Sequence, residues 1–439
     1  MAFRVALVTP FAWSQPHDVN EHVDGLAAEL RARGHTVVVL GPSNRARDLA
    51  AGRKILARNS LLQAEFLALG PAVPISRRSR MGVPVGVRAN LAVALAAGGF
   101  DVVHGFEPGL PSLSYLALRH ADALTVATFF SPERLGYPPG KAQRERLLGR
   151  LDALLATSPE TAEAAALRFP GRYEVVPVGV DVAAHAPGAK QHCVVVEWAP
   201  AQRPLVRPIF GELAELADWE LVLLRTRPLS GRPPVPRALR GRVRVRSAFD
   251  GASRAEAFRH ASVFVPALGG ISRAIVEAQA AGVAVADPPG RLQQPELVVA
   301  ETARLLEDDA FRARRGEEAV EVAAGQSFAA LADRVETVYA AVTRRRRAPA
   351  RPSPLEDRDW IVADLHMHTS WSHDCSIEVD ELLDHAEAEG LGAIAVTDHN
   401  VFGGALEAAE RARGRRLIVI PGEEVKTDGQ GEVIGLFLR

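Results

Sequence analysis

One pattern dominates the first 345 residues: short β-branched runs alternate with stretches of helical spacing. The runs fall at 4–9, 36–40, 101–104, 124–129, 154–157 and 174–178, and again at 193–198, 221–224, 243–246, 263–266 and 283–286. Helix-like stretches lie between them, one near 21–33 closed by Gly34, others near 254–260, 273–281 and 328–342. Strands joined through helices pair in parallel and are covered on both faces, so the class is α/β with doubly wound sheets. Two rounds joined near 182–191 predict two Rossmann-like halves, 1–182 and 183–343. Such sheets bind ligands at the carboxyl ends of their strands, which places a site in the cleft between the halves.

The rhythm breaks at Arg344-Arg345-Arg346-Arg347, followed by Ala-Pro-Ala-Arg-Pro-Ser-Pro. This reads as a helix C-terminus running into a Pro-stiffened linker, 344–358, where basic residues complement the helix dipole. No aromatic residue interleaves the arginines, so a nucleic-acid partner is not expected. Residues 1–352 carry 45 Lys and Arg against 35 Asp and Glu, while 353–439 carry 7 against 18. A basic body suits phosphate-bearing ligands and an acidic, His-containing tail suits cations. Cys193 and Cys375 are the chain's two cysteines, which excludes a disulfide framework and points to a reducing, cytoplasmic setting. No apolar run approaches the ~20 residues of a membrane span.

Beyond the linker, 359–439 forms a third module, and five of the thirteen histidines fall between 366 and 399. Strand alternation puts His366 and His368 on one side near a strand's end. His373 and Asp374 follow at once, a strand at 393–397 delivers Asp398 and His399, and one at 417–420 delivers Glu423 and Glu424. Strand ends that each present imidazole or carboxylate are how barrel enzymes assemble active sites. Without a Cys cluster, this donor set suits Zn, Mn or Fe in a catalytic site.

The strings Asp364-Leu365-His366-Met367-His368-Thr369, Ser372-His373-Asp374, Thr397-Asp398-His399-Asn400 and Pro421-Gly422-Glu423-Glu424 resemble the opening motifs of the PHP (polymerase and histidinol phosphatase) family. The resemblance implies a distorted (β/α) barrel in which divalent metals hydrolyse a small-molecule phosphoester. By position His366, His368, His399 and Glu424 match metal ligands, and His373, which sits where many members have Asp, is expected as a further ligand. Asp364 and Asp398 match supporting or bridging positions, with Asp398 orienting ligand or water. The family's later motifs have no counterpart here. The expectation is therefore a partial barrel with weak hydrolysis, whose apolar run 432–438 is a strand with a poorly covered edge.

Segments of the first 345 residues resemble family-4-like glycosyltransferases of the GT-B fold, near the phosphatidylinositol mannosyltransferases. They are Val8-Thr9-Pro10-Phe11, the stretch 21–35, Asp101-Val102-Val103-His104 with Glu107-Pro108, Pro111–Ser114, 176–181, and Glu277-Ala278-Gln279-Ala280-Ala281-Gly282-Val283. The resemblance implies a nucleotide-sugar donor held near Arg203, Gly269, Gly270, Ser272 and Glu277, with no metal required. It also exposes departures. His17-Asp18 replaces a Gly-Gly pair, Phe130 replaces a His, Gly269 replaces the first Glu of a Glu-x7-Glu pair, and Trp198 replaces a basic residue. These changes lead to the expectation of impaired sugar transfer. The rivals are an active glycosyltransferase and a non-catalytic module that binds a nucleotide or sugar phosphate.

Overall fold

The computed structural model describes residues 2–58, 60–72, 87–226, 231, 233, 235–268, 273–287, 294–347, 361–427 and 431–438. The chain divides into two compact units, Met1–Arg347 and Ala348–Arg439. Most of the linker expected at 344–358 lies outside the described residues.

In the larger unit, β1 (Arg4–Val8), β2 (Thr36–Ser43), β3 (Phe66–Pro71), β4 (Val102–Phe106), β5 (Leu124–Phe129), β6 (Ala153–Ala156) and β7 (Tyr173–Val175) form one parallel sheet. Its order is β3-β2-β1-β4-β5-β6-β7. The second sheet holds β8 (Cys193–Glu197), β9 (Glu220–Arg225), β10 (Val243–Ser247), β11 (Val263–Val265) and β12 (Ala284–Val285), in the order β10-β9-β8-β11-β12. Each order reverses beside its first strand, at β1/β4 and at β8/β11, and ligands of such sheets bind at that reversal. The central strands are buried and mostly apolar because helices cover both faces. β3 was not expected: Phe66-Leu67-Ala68-Leu69 lacks β-branched residues, and pairing with β2 makes it a strand.

The helix Phe328–Arg347 departs from the reading that assigned 328–342 to the second half. Leu331, Val335, Val338, Tyr339 and Val342 share one core cluster with Val5, Leu7, Val23 and Leu26 of the first half. Its apolar stripe recurs at helical spacing, and the partner for that stripe is the helix Asp18–Ala32. Arg33 pairs with Asp333 and Glu336, at 2.5 and 2.6 Å, and so fixes the docking.

In the smaller unit, β13 (Ala363–Met367), β14 (Ala393–Val396) and β15 (Ile418–Lys426) run parallel, and β16 (Glu432–Leu436) returns antiparallel beside β15. That hairpin departs from uniform βα alternation, because only a short connection separates the two strands. The helices Val379–Ala388 and Gly403–Arg411 cover one face, packing Leu383, Ala405 and Ala408 on Ile394 and Val396. Parallel register brings the ends of β13, β14 and the middle of β15 side by side, with His399 bridged to Glu424. Among the described residues no helix is long and apolar enough to cross a membrane.

Candidate functional site

His366, His368 and Glu424 meet in the smaller unit, and His399 stands beside Glu424. Glu424 Oε2 lies 2.9 Å from His366 Nε2, 3.0 Å from His368 Nε2 and 3.6 Å from His399 Nδ1. The Nε2 atoms of His366 and His368 are 3.2 Å apart. Ligands held at ~2.0–2.2 Å around a tetrahedral ion stand roughly 3.4 Å from one another, so these spacings fit a divalent metal. Burial pushes the Glu424 carboxyl up, but hydrogen bonding to His366 and the charges of His366 and His399 win, and its pKa is lowered. The carboxylate is thus in the ionised form that a metal requires.

A fifth side chain organises the imidazoles. Asp374 Oδ2 lies 3.1 Å from His368 Nδ1 and 3.4 Å from His399 Nε2, the nitrogens that point away from Glu424. A neutral imidazole has one lone pair and one N–H. An anion at Nδ1 of His368 therefore leaves Nε2 as the lone-pair atom, and the reverse holds for His399. The Ser372 hydroxyl, donating to Asp374 Oδ1 at 2.6 Å, is the largest influence that holds the Asp374 carboxyl down at about 2, and His368 adds to it.

His373, expected as a ligand, instead sets its ring 5.1 Å from that of His399, and Asp374 faces the donors. Both residues were visible in the sequence, but a loop has no period that says which of two neighbours turns inward. Asp364 Oδ1 accepts the backbone N–H of His366 at 3.1 Å. Asp398, fully buried, accepts from Thr369 N at 2.6 Å and from Thr369 Oγ1 at 2.8 Å. Each of its oxygens accepts one bond from Thr369, which secures the turn that follows His368.

Of the residues expected around a nucleotide sugar in the larger unit, Arg203 and Glu277 are described. Gly269, Gly270 and Ser272 lie outside the described residues. Arg203 is exposed at the start of the helix Arg203–Glu215 and has no ion-pair partner among the described residues. Glu277 is fully buried in the middle of the helix Arg273–Ala280, held by Arg254 and by Arg273 Nε at 3.0 Å. His17 caps the helix Asp18–Ala32, accepting from Val19 N at 3.1 Å, and stacks on Phe11 with ring centroids 3.5 Å apart. Phe130 meets His22 edge-on at 4.8 Å, and Trp198 is buried in the second core.

Residues 19–184 match the Glycosyltransferase Family 4 description, and residues 364–435 match the PHP domain. The chain is 30% identical over 315 residues to a phosphatidyl-myo-inositol mannosyltransferase of Mycobacterium tuberculosis, covering 64% of this chain and 76% of that protein. The chain belongs to the phosphatidyl-myo-inositol mannosyltransferase family. A relative of the same description from Propionibacterium freudenreichii is 35% identical over 167 residues, 37% of this chain, and the match spans only 42% of that relative's length. A glycosyltransferase structure from Rickettsia africae superposes with a TM-score of 0.51 at 13% identity, over 77% of this chain and 98% of that one, which establishes the shared GT-B fold. Alongside the match to this mannosyltransferase family the chain carries the PHP segment 364–435.

Proposed function

We propose that the PHP unit is a divalent-metal site for hydrolysis of a small phosphoester, held by His366, His368, His399 and Glu424. The observation that carries this reading is the convergence of His366, His368 and Glu424, with His399 Nδ1 beside Glu424 and Asp374 against the far nitrogens of His368 and His399. Bound Zn, Mn or Fe would lower the pKa of a coordinated water toward ~7 and stabilise charge on the phosphoryl oxygens. Asp374 orients His368 and His399, Asp364 and Asp398 hold the backbone that presents the ligands, and His373 stands beside His399 at the rim. The test is hydrolysis of p-nitrophenyl phosphate and of its bis-ester with each metal. Turnover should vanish with a chelator and in His368→Ala. Full metal loading without turnover of either ester would sink the reading.

For the larger unit, divided at 182/183, the reading we favour is a nucleotide or sugar-phosphate binder with impaired transfer. The observation behind it is that Glu277 is engaged by Arg254 and Arg273. Robust sugar transfer from a standard nucleotide-sugar donor would restore the active-glycosyltransferase reading. The free thiols Cys193 and Cys375 support a cytoplasmic setting.

A further inference from the structure

A buried group of charges joins the two Rossmann halves. Arg254, on the helix Gly251–Phe258, and Arg273 are 2% and 8% exposed. Buried guanidinium groups are tolerated only when paired and hydrogen-bonded. Both of these are paired from two sides. Glu277, from the second half, accepts from Arg254 Nε, from Arg254 Nη2 at 2.8 Å and from Arg273 Nε at 3.0 Å. Glu21, from the first-half helix Asp18–Ala32, accepts from Arg254 Nη2 and lies 3.3 Å from Arg273 Nε.

The two carboxylates are not equivalent. Glu277 uses both oxygens and is fully buried, whereas Glu21 keeps a partly exposed side chain and engages through Oε2 alone. Three buried atoms here have no hydrogen-bond partner among the described residues: Glu21 Oε1, Arg273 Nη1 and His185 Nε2. His185 Nε2 lies 3.9 Å from Glu277 Oε2. Burial raises the Glu21 pKa, against the pull of Arg254 and Arg273, so Glu21 is the least well-satisfied member.

We propose that Glu21 is a built-in stand-in for phosphate: Arg254 and Arg273 form an anion site that a phosphate or diphosphate group enters by displacing the Glu21 carboxylate. A phosphate offers several oxygens to a guanidinium fork, and can accept from Arg254 Nη2 and from the spare Arg273 Nη1 together. Glu21 accepts from the first through one oxygen and leaves the second unmet. Without Glu21 the two arginines outweigh Glu277 by one positive charge, which the ligand neutralises. Displacement also breaks the ion pairs between the halves, so ligand binding is coupled to their separation. The inference deepens the nucleotide-binding reading of the cleft and is independent of the metal centre.

The experiment is calorimetry on the full chain with inorganic pyrophosphate and, separately, GDP, with EDTA present so that metal at the other unit takes no part. Relative to the wild type, Glu21→Gln should bind pyrophosphate about tenfold more tightly, because a self-occupied site lowers apparent affinity by the fraction it blocks. Adding Arg273→Gln should erase that gain. Equal or weaker binding by a folded Glu21→Gln variant overturns the proposal. If circular dichroism shows that variant unfolded, Glu21→Asp serves instead. Its charge is kept but its reach is shortened, so a gain of several-fold is expected and no gain is refutation. A gain for pyrophosphate without any GDP binding supports the anion site while removing the nucleotide reading. GDP binding by the wild type with no gain in either variant leaves the nucleotide reading standing and overturns this one.

Discussion

His104 Nδ1 and the Tyr339 hydroxyl lie 2.8 Å apart across 235 residues of chain, fully enclosed by the first core. The other ring nitrogen of His104 is 2.6 Å from Thr128 Oγ1. The contact ties the helix Phe328–Arg347 to the centre of the first sheet. Tyr339→Phe keeps the ring and removes the partner of a buried nitrogen. It should cost about 1–3 kcal/mol, read as a lower urea midpoint with an unchanged slope.

Burial depresses the same His104 to about 3, and His22 is likewise lowered by burial. The unfolded chain protonates these rings near 6.5 while the folded chain does not, so between those values the unfolded state binds more protons. Their contribution to stability is intact above about 6.5 and declines as pH falls toward 3. Urea unfolding at pH 7.5, 6.5 and 5.5 should show this loss, and a His104→Gln variant should show a shallower one. Identical slopes would contradict the assignment.

Glu107 works in the opposite sense. Its backbone is left-handed at φ 51°, its carboxyl is fully buried, and burial pushes it up to about 7 against the pull of Arg134, whose Nη1 is 3.1 Å away. An acid raised on folding binds more protons in the native state, so its contribution falls as pH rises from 4.5 to about 7. Glu107→Gln should therefore gain stability relative to the wild type on going from pH 5 to pH 8. The check is the difference in unfolding midpoint at those two pH values.

In the metal centre the side chains should separate by role. His368→Ala and Glu424→Ala remove donors and should abolish tight zinc binding. Asp374→Asn removes only the anion behind two imidazoles and should weaken binding by about 10–100-fold. His373→Ala should leave it within about threefold, since ring contact alone fixes no donor atom. Zinc calorimetry on the four variants decides, and a larger loss for His373→Ala than for Asp374→Asn would reverse the assignment.

Zinc should also protect the smaller unit. Ligand that binds only the folded state adds stability by mass action, about 2.7 kcal/mol at a hundredfold excess over Kd. Saturating zinc should raise the melting transition of that unit and not that of the larger one, when the two are followed separately by calorimetry. A chelator should return it to the starting value.

The alternation of β-branched runs with helical stretches settled the two parallel sheets, because strand and helix periods are local properties of the chain. The period of two likewise placed His366 and His368 together, and the next two strands supplied His399, just past the end of β14, and Glu424, within β15. Local periodicity carries no information in loops or between distant segments, and there only the tertiary structure decides. It chose Asp374 over its neighbour His373, and moved the helix Phe328–Arg347 onto the first half, where the matching apolar face lay. It also joined Arg254 to Glu21, 233 residues earlier, and to Glu277, 23 residues later. A buried charge takes whichever partner the packed core brings within reach, so the fate of Glu277 was written in contacts rather than in its motif.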